Sequence, residues 1–155
     1  MKIYVAASFT SRERLRPIRD KLWKAGHEVV SSWLDEVTKP AQMTQKEFYK
    51  KLALKDLSEL KSADLAIIDL FDPSTSGGRD TELGFALGCF SSKQIYTVGP
   101  VSSVFHELVD RQFQTWDECA ISLGATLHDA AQGEIRVDVN RLLDNKPSTL
   151  MKMPF

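Results

Sequence analysis

A doubly wound α/β fold, one domain built on a five-stranded parallel sheet, is what this sequence predicts. Three observations lead there. Short apolar runs with strand character alternate with amphipathic helical stretches at the spacing of strand–helix units. The run Ala63-Asp64-Leu65-Ala66-Ile67-Ile68-Asp69-Leu70-Phe71 is strongly apolar and reads as a central strand. A chain of 155 residues, 43% hydrophobic, is long enough for one buried core and too short for two ordinary domains.

Lys2 to Ala7 reads as a buried strand, ended by Ser8-Phe9-Thr10-Ser11. Ser11 is placed to cap a helix whose apolar positions Leu15, Ile18, Leu22 and Ala25 recur at helical spacing, with Gly26 as its C-cap. His27 to Ser31 gives the second strand. Ser32 to Gln42 is polar, contains Pro40 and reads as a loop over a site. Thr44 is a cap for a long helix to Lys61, with Phe48, Leu52, Ala53, Leu57 and Leu60 as its apolar positions. After the central strand, Asp72-Pro73 breaks the chain and a Ser/Gly loop follows. Leu83, Ala86, Leu87 and Phe90 then mark a helix to about Ser91. Lys93 to Val98 is the fourth strand, closed by Gly99-Pro100. Ser103 to Val109 predicts a short helix, Phe113-Gln114-Thr115 a short fifth strand, and Trp116-Asp117-Glu118 the start of a helix to about Gly124. Five strands so arranged suggest the flavodoxin-like order. The tail from His128 to Phe155 is less regular, punctuated by Gly133, Pro147 and Pro154. One helix around Val137 to Leu143 fits its pattern, and residues 132–155 carry no firm structural assignment.

The bulk numbers restrict the partners. Twenty Lys and Arg against 21 Asp and Glu give a net charge of −1, so no polycationic surface is available for a nucleic acid polymer. A small-molecule ligand suits that balance. Cys89 and Cys119 make neither a disulfide framework nor a metal-spaced motif, which suits a reducing cytoplasm. No signal-peptide architecture and no membrane-length apolar run is visible, so no membrane role is expected. His27, His106 and His128 lack metal-site spacing, and no metal site is expected. Ser8, Ser76 and Ser102 fall in expected loops, without the Gly-x-Ser-x-Gly elbow of a serine hydrolase.

The stretch Ser74-Thr75-Ser76-Gly77-Gly78-Arg79-Asp80-Thr81-Glu82-Leu83-Gly84-Phe85-Ala86-Leu87-Gly88 is where chemistry concentrates. Strand, glycine loop and helix in succession aim backbone N–H groups and a helix N-terminus at an anionic ligand, in the crevice beyond the strand ends. Glu82 is expected in the first helical turn, where the dipole favours its charged form and suits it to nucleophilic attack. An acidic residue that merely complements the dipole is the plainer alternative, and Asp80 can be the N-cap. The loop itself is neither G-x-G-x-x-G nor a P-loop. Asp56 lies four residues from both Leu52 and Leu60, so it borders the apolar stripe of its helix. A carboxyl group there tends to a raised pKa, as a general acid requires; a capping or ion-paired aspartate is the alternative. Trp33, just past the second strand, is placed to stack on a base or simply to pack.

Taken together, these stretches resemble the nucleoside 2-deoxyribosyltransferase family, including its 2'-deoxynucleoside 5'-monophosphate N-glycosidase branch. Ile3-Tyr4-Val5-Ala6-Ala7-Ser8-Phe9 is similar to the family's first strand and small-residue ligand loop. Lys55-Asp56-Leu57 resembles its helix-borne aspartate. Thr81-Glu82-Leu83-Gly84-Phe85-Ala86 matches the Glu-Leu-Gly-x-Ala signature of the nucleophile. Phe113-Gln114-Thr115-Trp116-Asp117 resembles the late strand and Trp-Asp turn of the N-glycosidase branch. The resemblance spans residues 1 to about 124.

The resemblance implies a retaining mechanism in which Glu82 attacks the anomeric carbon of deoxyribose and Asp56 handles the proton of the departing base, without cofactor or metal. It implies substrate contacts from Tyr4, Ala7, Ser8 and Phe9. Transferases for free nucleosides commonly carry an aspartate six residues before the glutamate, and the nucleotide-cleaving branch a serine. This chain has Ser76 there, beside Gly77 and Gly78, which favours a 5'-monophosphate. The stretch from Asp56 to Glu82 is two residues longer than the family's and holds Arg79 and Asp80. Asp80 is therefore an alternative for the role at position 76, and Arg79 or Arg12 a candidate for phosphate. In the family a neighbouring subunit completes the site from the segment after the fourth strand, here Gly99 to His106. The resemblance thus implies a homodimer or higher homo-oligomer, with Ser103 or His106 as the donated residue. Two other classes remain open at this point. They are a non-catalytic nucleotide-binding module on the same sheet and a flavin-carrying electron carrier.

Overall fold

The computed structural model describes residues 1–35, 39–72 and 77–126. Ser76, the rest of the glycine loop from Pro73, and the tail with its expected helix around Val137 to Leu143 lie outside the described residues.

Strand β3, Leu65–Asp69, is buried at all five positions because it takes the middle of the sheet and is covered on both faces. It pairs in parallel with β1, Lys2–Ala6, on one side and with β4, Gln94–Val98, on the other. The short β2, Glu28–Val29, and β5, Arg111–Phe113, form the edges, giving the order β2-β1-β3-β4-β5. This is the flavodoxin-like doubly wound order.

The registers Tyr4↔Ala66, Ala6↔Ile68 and Ile68↔Thr97 put those side chains on one face, since neighbours in register share a side. Val5, Ile67, Tyr96, Asp69 and Val98 share the other. Helix α1, Arg12–Lys24, and α4, Trp116–Ser122, both reach Asp69 and so cover its face. Helices α2, Gln45–Ser62, and α3, Gly78–Cys89, pack together over the Tyr4 face.

Local chemistry sets the boundaries. Thr44 caps α2 as expected, in a full capping box with Glu47. A second box, Thr115 with Glu118, opens α4. It moves β5 two residues ahead of its expected place at Phe113 to Thr115, because Thr115 is committed to the cap. The short helix expected over Ser103 to Val109 is a 3-10 turn, Val104–Leu108, capped by the Ser103 hydroxyl. In α2, only Leu60 of the five expected apolar positions is fully buried, while Phe48, Leu52 and Leu57 are half-buried and Ala53 is exposed. One side of this helix therefore faces an opening. Among the described residues no helix is long and apolar enough to cross a membrane.

The C-terminal end of β3 is tied by one carboxylate. Asp69, 1% exposed, accepts from both terminal nitrogens of Arg14 at 3.0 Å, from the Trp116 indole N–H at 2.5 Å and from the Phe71 amide at 3.2 Å. Arg14 also bonds Asp72, as does the Ser11 hydroxyl. Helices α1 and α4 are thereby fixed to the strand that leads into the glycine loop. Replacing Asp69 with Asn keeps the volume and removes the charge, and is expected to lower stability by about 2 kcal/mol. Denaturant unfolding checks this, and an unchanged midpoint would show that the cluster does not hold these elements.

Candidate active site

Tyr4 points from β1 toward α3, and its hydroxyl donates to Glu82 Oε1 at 2.6 Å. The ring is fully buried. Burial first, then the charges of Glu82 and Asp56, raise its pKa far above the usual phenol value, so it stays a donor.

Glu82 was expected in the first turn of its helix, with its charged form favoured. Helix α3 begins at Gly78, so Glu82 is its fifth residue and lies in the second turn. Its N-cap is Gly77 rather than Asp80, in a left-handed conformation (φ 70°) that a side chain would strain. The pKa of Glu82 moves up, to about 7, because burial outweighs the Tyr4 hydrogen bond that lowers it, and Asp56 adds a further push upward. Desolvation sets the direction.

Asp56 faces Glu82 across a cleft of about 410 Å³ lined from α2 by Tyr49, Ala53, Asp56 and Leu57 and from α3 by Gly78, Thr81 and Glu82. Burial and the neighbouring Glu59 carry its pKa up to about 6, against a smaller lowering by Lys55. Its Oδ1 is buried without a hydrogen-bond partner among the described residues. A buried, unpaired carboxyl oxygen at a cleft wall is costly for folding and useful for moving a proton. The volume suits a small molecule.

Other expected site residues go elsewhere. Trp33 is 6% exposed and its indole N–H donates to the Val5 carbonyl at 2.9 Å, so it packs and is not a free platform for a base. The exposed ring in that corner is Phe9, 55% accessible, tilted against Trp33 and covered by the Arg12 guanidinium. Ala7 and Ser8 are half-buried beside it, and the Ser8 hydroxyl is within hydrogen-bond distance of that of Thr10. Arg79, a candidate for phosphate, is instead buried and committed to the loop, donating to the carbonyls of Asp69 and Asp72 and to Asp80. Asp80, Ser103 and His106 line a second cavity of about 450 Å³ with Arg79, Leu83 and Phe105. That cavity lies along a different side of α3, so one chain does not bring Asp80, Ser103 or His106 into the cleft that Glu82 shares with Asp56. The His106 ring accepts from the Ser102 amide at Nδ1, and burial with Arg79 nearby lowers its pKa, so it is neutral. Among the described residues no three His, Cys, Asp or Glu side chains cluster as a metal-binding set.

Sequence reasoning passed over Tyr49 and Thr81, which both line the cleft. Tyr49 carried a signal: it lies seven residues before Asp56, on the same face of α2. The N-cap of α3, Gly77, has no side chain to bond the first-turn amides, and among the described residues no side-chain cap is made there.

Both carboxyl groups have folded pKa values above their ordinary ones of 4.5 and 3.8. The folded chain then holds protons that the unfolded chain has lost. Their contribution to stability is full below the ordinary carboxylate range and is lost as pH rises through about 6 for Asp56 and about 7 for Glu82. Glu82→Gln is expected to flatten the fall in stability across that window and to stabilise the chain at pH 8. Denaturant midpoints against pH check this, and an unchanged fall would contradict the burial of Glu82.

Comparison with known proteins places this geometry in context. No protein-family model and no curated protein matches the sequence. Solved structures do match. A 2-deoxyribosyltransferase from Bacillus psychrosaccharolyticus superposes with a TM-score of 0.63 at 20% identity, over 81% of this chain and 98% of its own. A conserved protein from Enterococcus faecalis V583 gives 0.62 at 12% identity, over 79% and 96%. The CMP N-glycosidase BcmB of Clostridium botulinum gives 0.51 at 18% identity, over 79% and 98%. At these identities the likeness shows a shared α/β fold.

Proposed function

We propose that the chain is an enzyme of the nucleoside 2-deoxyribosyltransferase family that cleaves the N-glycosidic bond of a 2'-deoxynucleoside 5'-monophosphate, or of the free nucleoside, through a covalent adduct on Glu82. One observation carries the reading. Two desolvated carboxyl groups face one small-molecule cleft: Glu82 oriented by Tyr4, and Asp56 with an oxygen unpaired among the described residues. The two folds named as a deoxyribosyltransferase and an N-glycosidase support it from outside the chain.

The steps follow from carboxylate chemistry. A Glu82 oxygen forms a bond to the anomeric carbon as the bond to the base nitrogen breaks. The electron pair leaves with the base, and the proton comes from Asp56. Water, or a second base, then gives its proton to Asp56 and displaces Glu82. Asp56 ends the cycle protonated. The chemistry requires ionised Glu82 and protonated Asp56, while the two pKa values run the other way, about 7 and about 6. The pair therefore acts in the form that holds one proton between them. Tyr4 favours the productive arrangement because its hydrogen bond stabilises the charged Glu82.

A 5'-phosphate is the favoured handle. Ser76 is chemically suited to it, and the first turn of α3, entered through Gly77, is a helix N-terminus that suits an anion. We take the working unit to be a homodimer or larger, in which the segment from Gly99 to His106 meets the site of a neighbour. The exposed Val101, Val104 and Phe105 on that segment, with the exposed Leu108 just after it, support this. The two free cysteines, Cys89 and Cys119, suit a cytoplasmic setting.

The test is chromatographic detection of free base from each 2'-deoxynucleoside and each 5'-monophosphate, with and without a second base. Release from monophosphates is expected, lost by a factor on the order of 10⁴ or more in Glu82→Ala. The pH profile of kcat/KM is expected to be bell-shaped, with limbs near 6 and 7. Base exchange on free nucleosides would assign transfer instead of hydrolysis. No release from any substrate would leave nucleotide binding without catalysis.

A further inference from the structure

Helix α2 presents a stripe to the cleft that the proton chemistry of Asp56 does not use. Tyr49, Ala53 and Asp56 stand at i, i+4 and i+7 and all line the cavity. At about 1.5 Å per residue, Tyr49 stands about 10 Å from Asp56 along the axis. Ala53 sits between them, and its single methyl leaves the wall low there. Toward the C-terminus of the helix the stripe is closed by the half-buried Leu57 and the fully buried Leu60. Toward the N-terminus it is open, with Ala53 exposed and Tyr49 61% exposed.

Tyr49 adds little to the core. Its neighbour Phe48, 6.4 Å away between ring centres, is half-buried and is the less exposed of the two rings. A mostly exposed aromatic ring at the mouth of a cleft, one helical face along from a proton donor, is placed to meet a ligand.

We propose that Tyr49 and Ala53 form the wall that receives the leaving base, with the Tyr49 ring packed on the base and Ala53 leaving room for it. The inference rests on the glycosidase reading for the direction of the base. If Glu82 holds the sugar carbon and Asp56 protonates the base, the base lies on the α2 side of the cleft. From Asp56 the open direction along that wall is toward Ala53 and Tyr49. The ligand class is a planar heterocycle on a deoxyribose, recognised through its π-face and one edge.

The experiment is equilibrium binding to the full chain carrying Glu82→Gln, which keeps ligands intact. The probes are the four 2'-deoxynucleoside 5'-monophosphates and 2-deoxyribose 5-phosphate, which has the same sugar and phosphate without the base. Adding Tyr49→Ala is expected to weaken the best monophosphate roughly tenfold. It is expected to leave 2-deoxyribose 5-phosphate within about twofold. Tyr49→Phe should restore the monophosphate if the ring face is the contact. Ala53→Leu should weaken the monophosphate and spare the sugar phosphate. The inference is overturned if Tyr49→Ala binds the monophosphates as tightly as the parent. It is also overturned if both ligand classes weaken equally, or if no monophosphate binds more tightly than the sugar phosphate. The glycosidase reading fails separately, on wild-type chain that binds monophosphates and releases no base. In that case the binding comparison still decides the role of Tyr49.

Discussion

The hydrogen bond from the Tyr4 hydroxyl to Glu82 joins the first strand to the third helix, and the geometry of the cleft depends on it. It exists because Tyr4 occupies a fully buried position of β1 whose register with Ala66 turns its ring toward α3. It limits the cost of burying Glu82 without cancelling it. A carboxyl group taken from water resists ionising, and one strong donor recovers part of that cost. What remains appears as a pKa of about 7 instead of 4.5. The group is thus ready to ionise near neutrality and poorly solvated once ionised, a combination that suits a nucleophile.

The sheet divides its polar groups by face. On the α1 and α4 side, the buried Asp69 is surrounded by donors from Arg14, Trp116 and Phe71 and has no capacity to spare for a ligand. On the α2 and α3 side, Asp56 keeps an oxygen without a partner among the described residues. Satisfied polar clusters hold elements in place, and an unsatisfied carboxyl oxygen at a cleft wall makes that wall a candidate for chemistry. Arg79 links the two sides. From α3 it holds the carbonyls of Asp69 and Asp72, so the structural cluster also fixes the start of the loop that leads to Glu82.

The alternation of strands and helices was legible in the sequence because a parallel sheet needs apolar runs and its helices need apolar stripes. Thr44 was legible because capping is local chemistry. The pairing of Glu82 with Asp56 came from resemblance. Spacing alone left each with a plain structural alternative, and the cleft between them is made by two helices that the sequence does not place side by side. The start of α3 was misjudged because Gly77 caps through a left-handed backbone, which leaves no side-chain signature. Trp33 was ambiguous until its indole N–H was seen on the Val5 carbonyl. The Asp69 cluster was invisible, since its members at 14, 69 and 116 are joined only by the winding of the sheet.

The central claim is that Glu82 becomes covalently attached to the sugar. The most direct measurement is peptide mass spectrometry of the chain after incubation with a 2'-deoxy-2'-fluoro nucleoside 5'-monophosphate, whose electron-withdrawing fluorine slows turnover of an adduct. The expected result is one sugar phosphate added to the peptide that contains Glu82, absent in Glu82→Gln. Released base with no adduct at any time, or an adduct that maps to another residue and persists in Glu82→Gln, would contradict it.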